Sequence, residues 1–150
     1  EVLIKWPNDI QVNKKKIAGV LIENQWKSNN VSSSIIGIGL NVNQSNFPLE
    51  NKASSLFNIT SKKYNIDSIV RLLCSSLHTS INELRLGKLN EIDKDYHDFL
   101  FNLNKWALYE YEKIEFKGKI IKVDDNGLLN LELKNGDIKK YKLKQIKLVL

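Results

Sequence analysis

Three short runs carry the residues that could do chemistry together. The first is Lys5-Trp6-Pro7-Asn8-Asp9, which places a cation, an indole, a rigid turn residue, an amide and a carboxylate side by side. Pro7 cannot donate to a central ladder, so the chain turns or bulges there. Bulges re-aim side chains and are common beside active sites. Asn8 and Asp9 then project from the end of a strand. Taken alone, the same residues also describe a β-turn in which Asn8 and Asp9 bond their own backbone. The second run is Lys14-Lys15-Lys16 entering Ile17-Ala18-Gly19-Val20-Leu21-Ile22-Glu23. A lysine at the start of an apolar strand is half dry, so its ammonium gains more from a phosphate or carboxylate than it would in bulk water. Gly19 leaves the backbone open to close approach. By itself this run reads more simply as a lysine-rich turn before a buried strand. The third run is Gly37-Ile38-Gly39-Leu40-Asn41-Val42-Asn43. Asn41 and Asn43 share a face by period-two alternation, and a carboxamide there offers one donor and one acceptor to an adenine edge. This Gly-x-Gly is not a dinucleotide fingerprint, since neither a third glycine nor a helix start follows it.

The elements that must hold these runs are legible as patterns. Short apolar runs rich in β-branched residues at 2–4, 10–12, 17–22 and 35–42 predict strands. Asn13-Lys14 suits a tight hairpin, because Asn tolerates positive φ. Residues 44–65 are polar, contain Pro48 and read as one long loop. Asp67 is the expected cap of a helix running to about Leu86, with Ile69, Leu72, Leu73, Leu77, Ile81 and Leu84 at helical spacing and Gly87 ending it. A second helix is expected over 88–103, with Leu89, Ile92, Tyr96, Phe99, Leu100 and Leu103 on one side. Both stripes read as core packing. From about Trp106 the character changes. Segments 113–123, 128–133, 138–142 and 146–149 read as four short strands, with turns at Asp124-Asp125-Asn126-Gly127 and Lys134-Asn135-Gly136-Asp137. Asn-Gly between alternating segments is a strong hairpin signal, and four such strands suggest a small barrel.

Composition sets the bounds. The chain has 150 residues, 42 % of them hydrophobic, enough for one core or for one core and a small satellite. It contains no Met and begins at Glu1, and so reads as a piece of a longer protein. No signal peptide pattern and no membrane-length apolar stretch is present. One cysteine, Cys74, excludes an internal disulfide framework and fits a reducing, cytoplasmic compartment. It sits beside Leu72-Leu73 and is expected to be a small buried hydrophobe. The net charge is +6, but lysines are interspersed with acids and only Arg71 and Arg85 are arginines. A nucleic-acid footprint would cluster its cations on one face.

In this order and spacing, the three runs resemble the second half of the catalytic domain of biotin protein ligases. The later helices and the terminal β-module match that family's layout, so the resemblance spans essentially all of the chain. It implies an α+β fold: part of a class II aminoacyl-tRNA synthetase-like mixed sheet with helices over residues 1–104, then an SH3-like β-barrel over residues 105–150. It implies ATP-dependent activation of biotin to biotinyl-5′-AMP, then transfer to a lysine of a biotin carboxyl carrier domain such as that of acetyl-CoA carboxylase. By position, Lys16 matches the lysine that contacts the biotin carboxylate and the adenylate phosphate. Asp9 matches the aspartate near the reaction centre, where it would orient Lys16, help hold Mg²⁺ or attract the acceptor lysine; the residues leave these open. Gly19 and Leu21 match the biotin-side strand, Asn41 matches an adenine-binding asparagine, and Asn8 is grouped with it on the ATP side. Trp6 and Pro7 read as architectural. Lys5 has no assigned role.

The resemblance also implies a Gly-Arg-Gly-Arg loop upstream of Lys5, and nothing in these 150 residues matches it. The expectation is therefore little or no ligase activity from this chain alone. Members of the family often pair through the catalytic sheet, so a homodimer is one expectation. Two other readings are a lipoate-type ligase of the same superfamily and a basic, non-enzymatic interaction module built on lysines 134–147. The Lys-Trp-Pro-Asn-Asp run and the terminal β-module speak for the biotin side. The lysines have a simpler role as a solvated edge that blocks sheet aggregation.

Overall fold

Asn13 and Lys14 reverse the chain with φ of 50° and 63°, the left-handed pair a type I′ hairpin requires. In the computed structural model, which describes residues 1–48 and 52–149, this reversal joins β2 (Asp9–Val12) to β3 (Lys15–Lys27). With β1 (Val2–Lys5) and β4 (Asn30–Leu40) they form an antiparallel sheet in the order β1-β2-β3-β4. The expected strands all fall within or overlap these four. A parallel bridge between Lys16 and Ala53 ties the segment after β4 back to β3.

Residues 44–65 are not one loop. They contain a short helix, α1 (Leu56–Thr60), and residues 49–51 lie outside the described residues. Ser55 starts α1: its hydroxyl accepts from the Asn58 N–H at 3.1 Å and donates to the Gln44 carbonyl at 2.5 Å. The long helix α2 (Ile66–Arg85) is capped by Asn65, whose carboxamide oxygen accepts from the Ser68 N–H at 2.9 Å. Asp67, expected as the cap, sits in the first turn instead, where its charge favours the helix dipole. Gly87, at φ 76°, follows the helix as expected. The apolar stripe is helical but not core: no residue of α2 is buried. Cys74 is likewise exposed, against the expectation of burial.

The chain forms two compact units, Glu1–Ile92 and Asp93–Leu150. Helix α3 (Leu89–Asp98) ends at Asp98 rather than 103, and left-handed turns at Asn102 and Asn104 follow it. The sequence reading divides the chain after 104, whereas the packing divides it before Asp93. The reason lies in contacts to β6 (Ile114–Val123). The Val123 N–H donates to His97 Nε2 at 3.0 Å, the Asn104 N–H donates to the Ile120 carbonyl, and Leu103 bridges Ile120.

The second unit is a five-stranded antiparallel sheet in the order β8-β7-β6-β5-β9. It adds β5 (Trp106–Tyr111), β7 (Leu129–Leu133), β8 (Ile138–Tyr141) and β9 (Lys147–Leu148). β5 is a strand beyond the four expected, and the left-handed pair Glu112-Lys113 joins it to β6. Register places Tyr109, Phe116, Gly118, Leu129, Leu131 and Tyr141 on one apolar face. Gly118 is needed there, since a Cβ would meet the Leu131 Cδ1 at 3.3 Å. In a flat sheet β5 and β8 would stand roughly 14 Å apart, three strand spacings. Yet the Tyr111 and Tyr141 rings meet at 5.5 Å, so the sheet curls on itself, in keeping with the small barrel expected.

Candidate active site

The register of β2 on β3 decides which side chains meet. Asp9 stands opposite Gly19 and Ile10 opposite Ala18, but Gln11 stands opposite Lys16. β3 therefore carries one extra residue, a bulge between Ile10 and Gln11. Without it, Lys16 and Gly19, three apart, would point to opposite faces. With it, Lys16 joins the face of Asp9 and Gly19. Its ammonium then reaches the Asp9 carboxylate at 2.5 Å. A Cβ on Gly19 would lie 3.2 Å from the Lys16 Nζ and 3.5 Å from the Asp9 carboxylate, so glycine at this position lets the pair form.

The same face continues across the sheet. Gly39 is opposite Gly19, and Gly37 is opposite Leu21; Asn41 lies two residues beyond Gly39. Thus the sequence-predicted Asp9, Lys16, Gly19, Leu21 and Asn41 share one face, over a floor of glycine backbone. Leu21 is exposed there. Lys16 and Asp9 side chains are 48 % and 25 % exposed. A pair this open adds little to stability, about 0–1 kcal/mol at most, but its ammonium stays within reach of an anion.

Asn8 lies in the turn after the cis Trp6-Pro7 peptide and is exposed. Its carbonyl accepts from the Val20 N–H at 2.9 Å, which extends the β2–β3 pairing by one residue and holds Asp9 in place. Asn41 is partly engaged: its Nδ2 donates to the Ser54 carbonyl at 3.0 Å, leaving its carbonyl oxygen and one N–H. Asn43 is fully architectural, donating to the Tyr64 carbonyl and accepting from the Tyr64 N–H.

Two residues on this face carry no sequence-assigned role. Lys5 is directly opposite Asp9 in the β1–β2 register, which adds a second cation to the face. Gln11, two residues after Asp9, is 5 % exposed with its Oε1 buried and without a hydrogen-bond partner among the described residues. Strand pairing brings Lys5 to the site, whereas Gln11 shares the face of Asp9 by the alternation of β2 itself.

No group of three or more His, Cys, Asp or Glu side chains converges among the described residues. Asp9 is the carboxylate beside Lys16 and is already paired with it, while Glu23 lies further along the same face of β3. These residues do not form a protein cage for Mg²⁺. Mg²⁺ bound to a nucleotide is commonly held by phosphates and one or two carboxylates, a mode to which Asp9 alone could contribute.

Residues 1–41 match the biotin/lipoate A/B protein ligase family. The bifunctional ligase/repressor BirA of Bacillus spizizenii is 33 % identical over 142 residues, which covers 92 % of this chain and 44 % of that protein. The biotin–[acetyl-CoA-carboxylase] ligase of Paracoccus denitrificans is 44 % identical over 39 residues, 26 % of this chain and 16 % of that protein. The chain thus spans less than half the length of these relatives. Among solved structures, the apo biotin protein ligase of Aquifex aeolicus superposes with a TM-score of 0.77 at 24 % identity, over 99 % of this chain and 65 % of that one. The same Aquifex enzyme in complex with biotin and ATP superposes at 0.76. At this identity the superpositions speak for the fold. The first 41 residues carry the pattern of the biotin/lipoate A/B protein ligase family, and nearly the whole chain is similar in sequence to the Bacillus ligase/repressor and in fold to the Aquifex biotin protein ligase.

Proposed function

We propose that this chain carries the charge-stabilising face of an ATP-dependent biotin protein ligase. The observation behind this reading is the bulge-placed Lys16–Asp9 pair over the glycine floor of Gly19, Gly37 and Gly39. In the first step a biotin carboxylate oxygen attacks the α-phosphorus of ATP, a phosphoanhydride bond breaks and pyrophosphate leaves. Negative charge builds on the phosphoryl oxygens, and a fixed ammonium beside them lowers that barrier. Lys16 has the compact point charge this task needs. Asp9 holds the ammonium in place until an anion competes for it. In the second step the amine of a carrier-domain lysine attacks the biotinyl carbonyl, AMP leaves, and the amine loses a proton. A carboxylate at Asp9 would favour entry of that cationic lysine.

Biotin would lie along the Gly19–Leu21 side, where open backbone and an exposed leucine meet, and adenine toward Asn41 and Asn8. The remaining carbonyl and N–H of Asn41 still offer one acceptor and one donor to an adenine edge. Mg²⁺, where present, would travel with the ATP phosphates. The partner is a biotin carboxyl carrier domain, such as that of acetyl-CoA carboxylase. No described helix is long and apolar enough to cross a membrane.

The reading is tested by trapping. The chain is incubated with ATP and either biotin or lipoate, and the adenylate retained on the protein is analysed by mass spectrometry, with preformed biotinyl-5′-AMP as a third arm. Retained biotinyl-5′-AMP supports the proposal. Retained lipoyl-AMP in its place moves the chain to the lipoate branch, and failure to hold even preformed biotinyl-5′-AMP contradicts it. Transfer to an apo carrier domain by this chain alone is expected to be slight, since both arginines lie on α2 and no Gly-Arg-Gly-Arg run is present.

A further inference from the structure

The curled sheet of the second unit ends in a cavity that the ligase reading does not use. Tyr141 packs against Phe116 at 6.1 Å and against Tyr111 at 5.5 Å. These rings wall a cavity of about 500 Å³, within the range of ligand pockets. Ile114 stands at its rim, 68 % exposed. Lys117, Lys134 and Lys139 line it, and no carboxylate does. The nearby turn acid Glu112 engages the Tyr111 hydroxyl.

The three lysines differ. Lys134 lies over the Trp106 ring at 3.8 Å and is partly engaged. Lys117 and Lys139 make no ion pair with a described residue, whereas Lys119 and Lys140 each bind a carboxylate. Lys117 alternates to the other face of β6 from Phe116 and borders the cavity from its rim. Lys139 stands on the cavity side of its strand. Register sets it opposite Leu131 and two residues before Tyr141, on the apolar face of the sheet, while Lys140 takes the other face. An inward-pointing lysine on an edge strand also guards against edge pairing, and this one borders the cavity as well.

The chemistry of the cavity selects its occupant. Single-stranded nucleic acid would need open ring faces for base stacking. Here the rings cover one another, and Tyr141 is only 6 % exposed. An apolar wall rimmed by unpaired ammonium groups instead complements carboxylates flanking an apolar side chain. We propose that this cavity docks an acidic segment of a partner polypeptide. One large apolar side chain sits against Tyr111, Ile114 and Phe116, and its flanking carboxylates meet Lys117 and Lys139. This inference stands whether or not the chain acts on biotin.

The test uses the whole chain and labelled peptides in fluorescence anisotropy at low and moderate salt. The probes are Asp-Glu-Phe-Glu-Asp, the same peptide with Ala for Phe, Ser-Ser-Phe-Ser-Ser, and a ten-residue oligothymidylate. The acidic Phe peptide is expected to bind tightest and to weaken as salt rises. Its affinity should fall at least tenfold in the double variant Lys117→Glu, Lys139→Glu, and several-fold in Ile114→Ser. All three positions are exposed, so the melting temperature should hold. The proposal is overturned if the acidic Phe peptide binds no better than the Ser or Ala peptides, if the variants bind it equally, or if the oligonucleotide binds tighter.

Discussion

The two units enclose their apolar residues to different extents: the first buries Val12, Ile17, Ala18 and Val42 along its sheet. The second buries Tyr109, Ile120, Leu129, Leu131 and Tyr141 on the inner side of a curled sheet, with Leu131 fully enclosed. The first holds the candidate active face, yet its longest helix buries nothing, and Leu72 is 64 % exposed. Periodicity alone does not separate these cases. Both α2 and the strands of the second unit alternate as amphipathic elements should, but only the strands bury their apolar residues fully, while Ile69, Leu73 and Leu77 of α2 are half-buried. Catalytic geometry in the first unit rests on backbone pairing, the bulge and a glycine floor, and much less on a packed core.

Leu131→Ala should open the sharpest gap between the units. Truncating an enclosed leucine costs about 3 kcal/mol, whereas Leu72→Ala, at an exposed site, should stay within about 0.5 kcal/mol. Urea unfolding followed by the fluorescence of Trp106 in the second unit would read the first loss. Equal effects at both positions would contradict the contrast. Native-state hydrogen exchange should give the same order, with amides of 109, 120 and 131 slower than those of α2.

A smaller effect should appear at the floor of the face. Gly19→Ala places a methyl 3.2 Å from the Lys16 Nζ, which tilts the ammonium away from Asp9. Biotinyl-5′-AMP affinity should drop about tenfold, the scale of a 1.4 kcal/mol loss, with no change in melting temperature. A matching change at Gly37, whose Cβ would meet nothing closer than 3.8 Å, should have less effect.

The mildest prediction concerns acid. The Lys140 ammonium, backed by hydrogen bonds from the Leu128 and Asn126 N–H groups and the Asn130 side chain, holds the Asp124 carboxyl down to about 2. A carboxyl lowered in the folded state contributes stability above its unfolded pKa and loses it as pH falls through the folded value. The second unit should therefore weaken between about pH 4 and pH 2, and Asp124→Asn should flatten that part of the profile. Thermal melts across this range would check it, and an unchanged slope in the variant would count against the assignment.

Much of this was legible in the sequence. Asn13-Lys14 announces its hairpin because few residues accept two successive left-handed conformations. Gly19, Gly37 and Gly39 announce an open backbone because strands otherwise avoid glycine. The bulge after Ile10 was not legible, since it exists only in the pairing of two strands, and with it went the place of Lys16 beside Asp9 and Gln11. The cap at Asn65 in place of Asp67 was close to undecidable, because both residues cap well. The exposure of Cys74 and of the α2 stripe was hidden for a deeper reason: an amphipathic pattern says which side is apolar, not what covers it.

The central claim is that Lys16, set on the face of Asp9 by the bulge, holds the adenylate phosphate. Isothermal titration of biotinyl-5′-AMP into the chain and into Lys16→Met measures this directly. The account predicts saturable binding by the parent chain and a loss of about tenfold to a hundredfold in the variant, the scale of one lost hydrogen bond to a charged group, with melting temperatures unchanged. Equal affinity in the two proteins would contradict it.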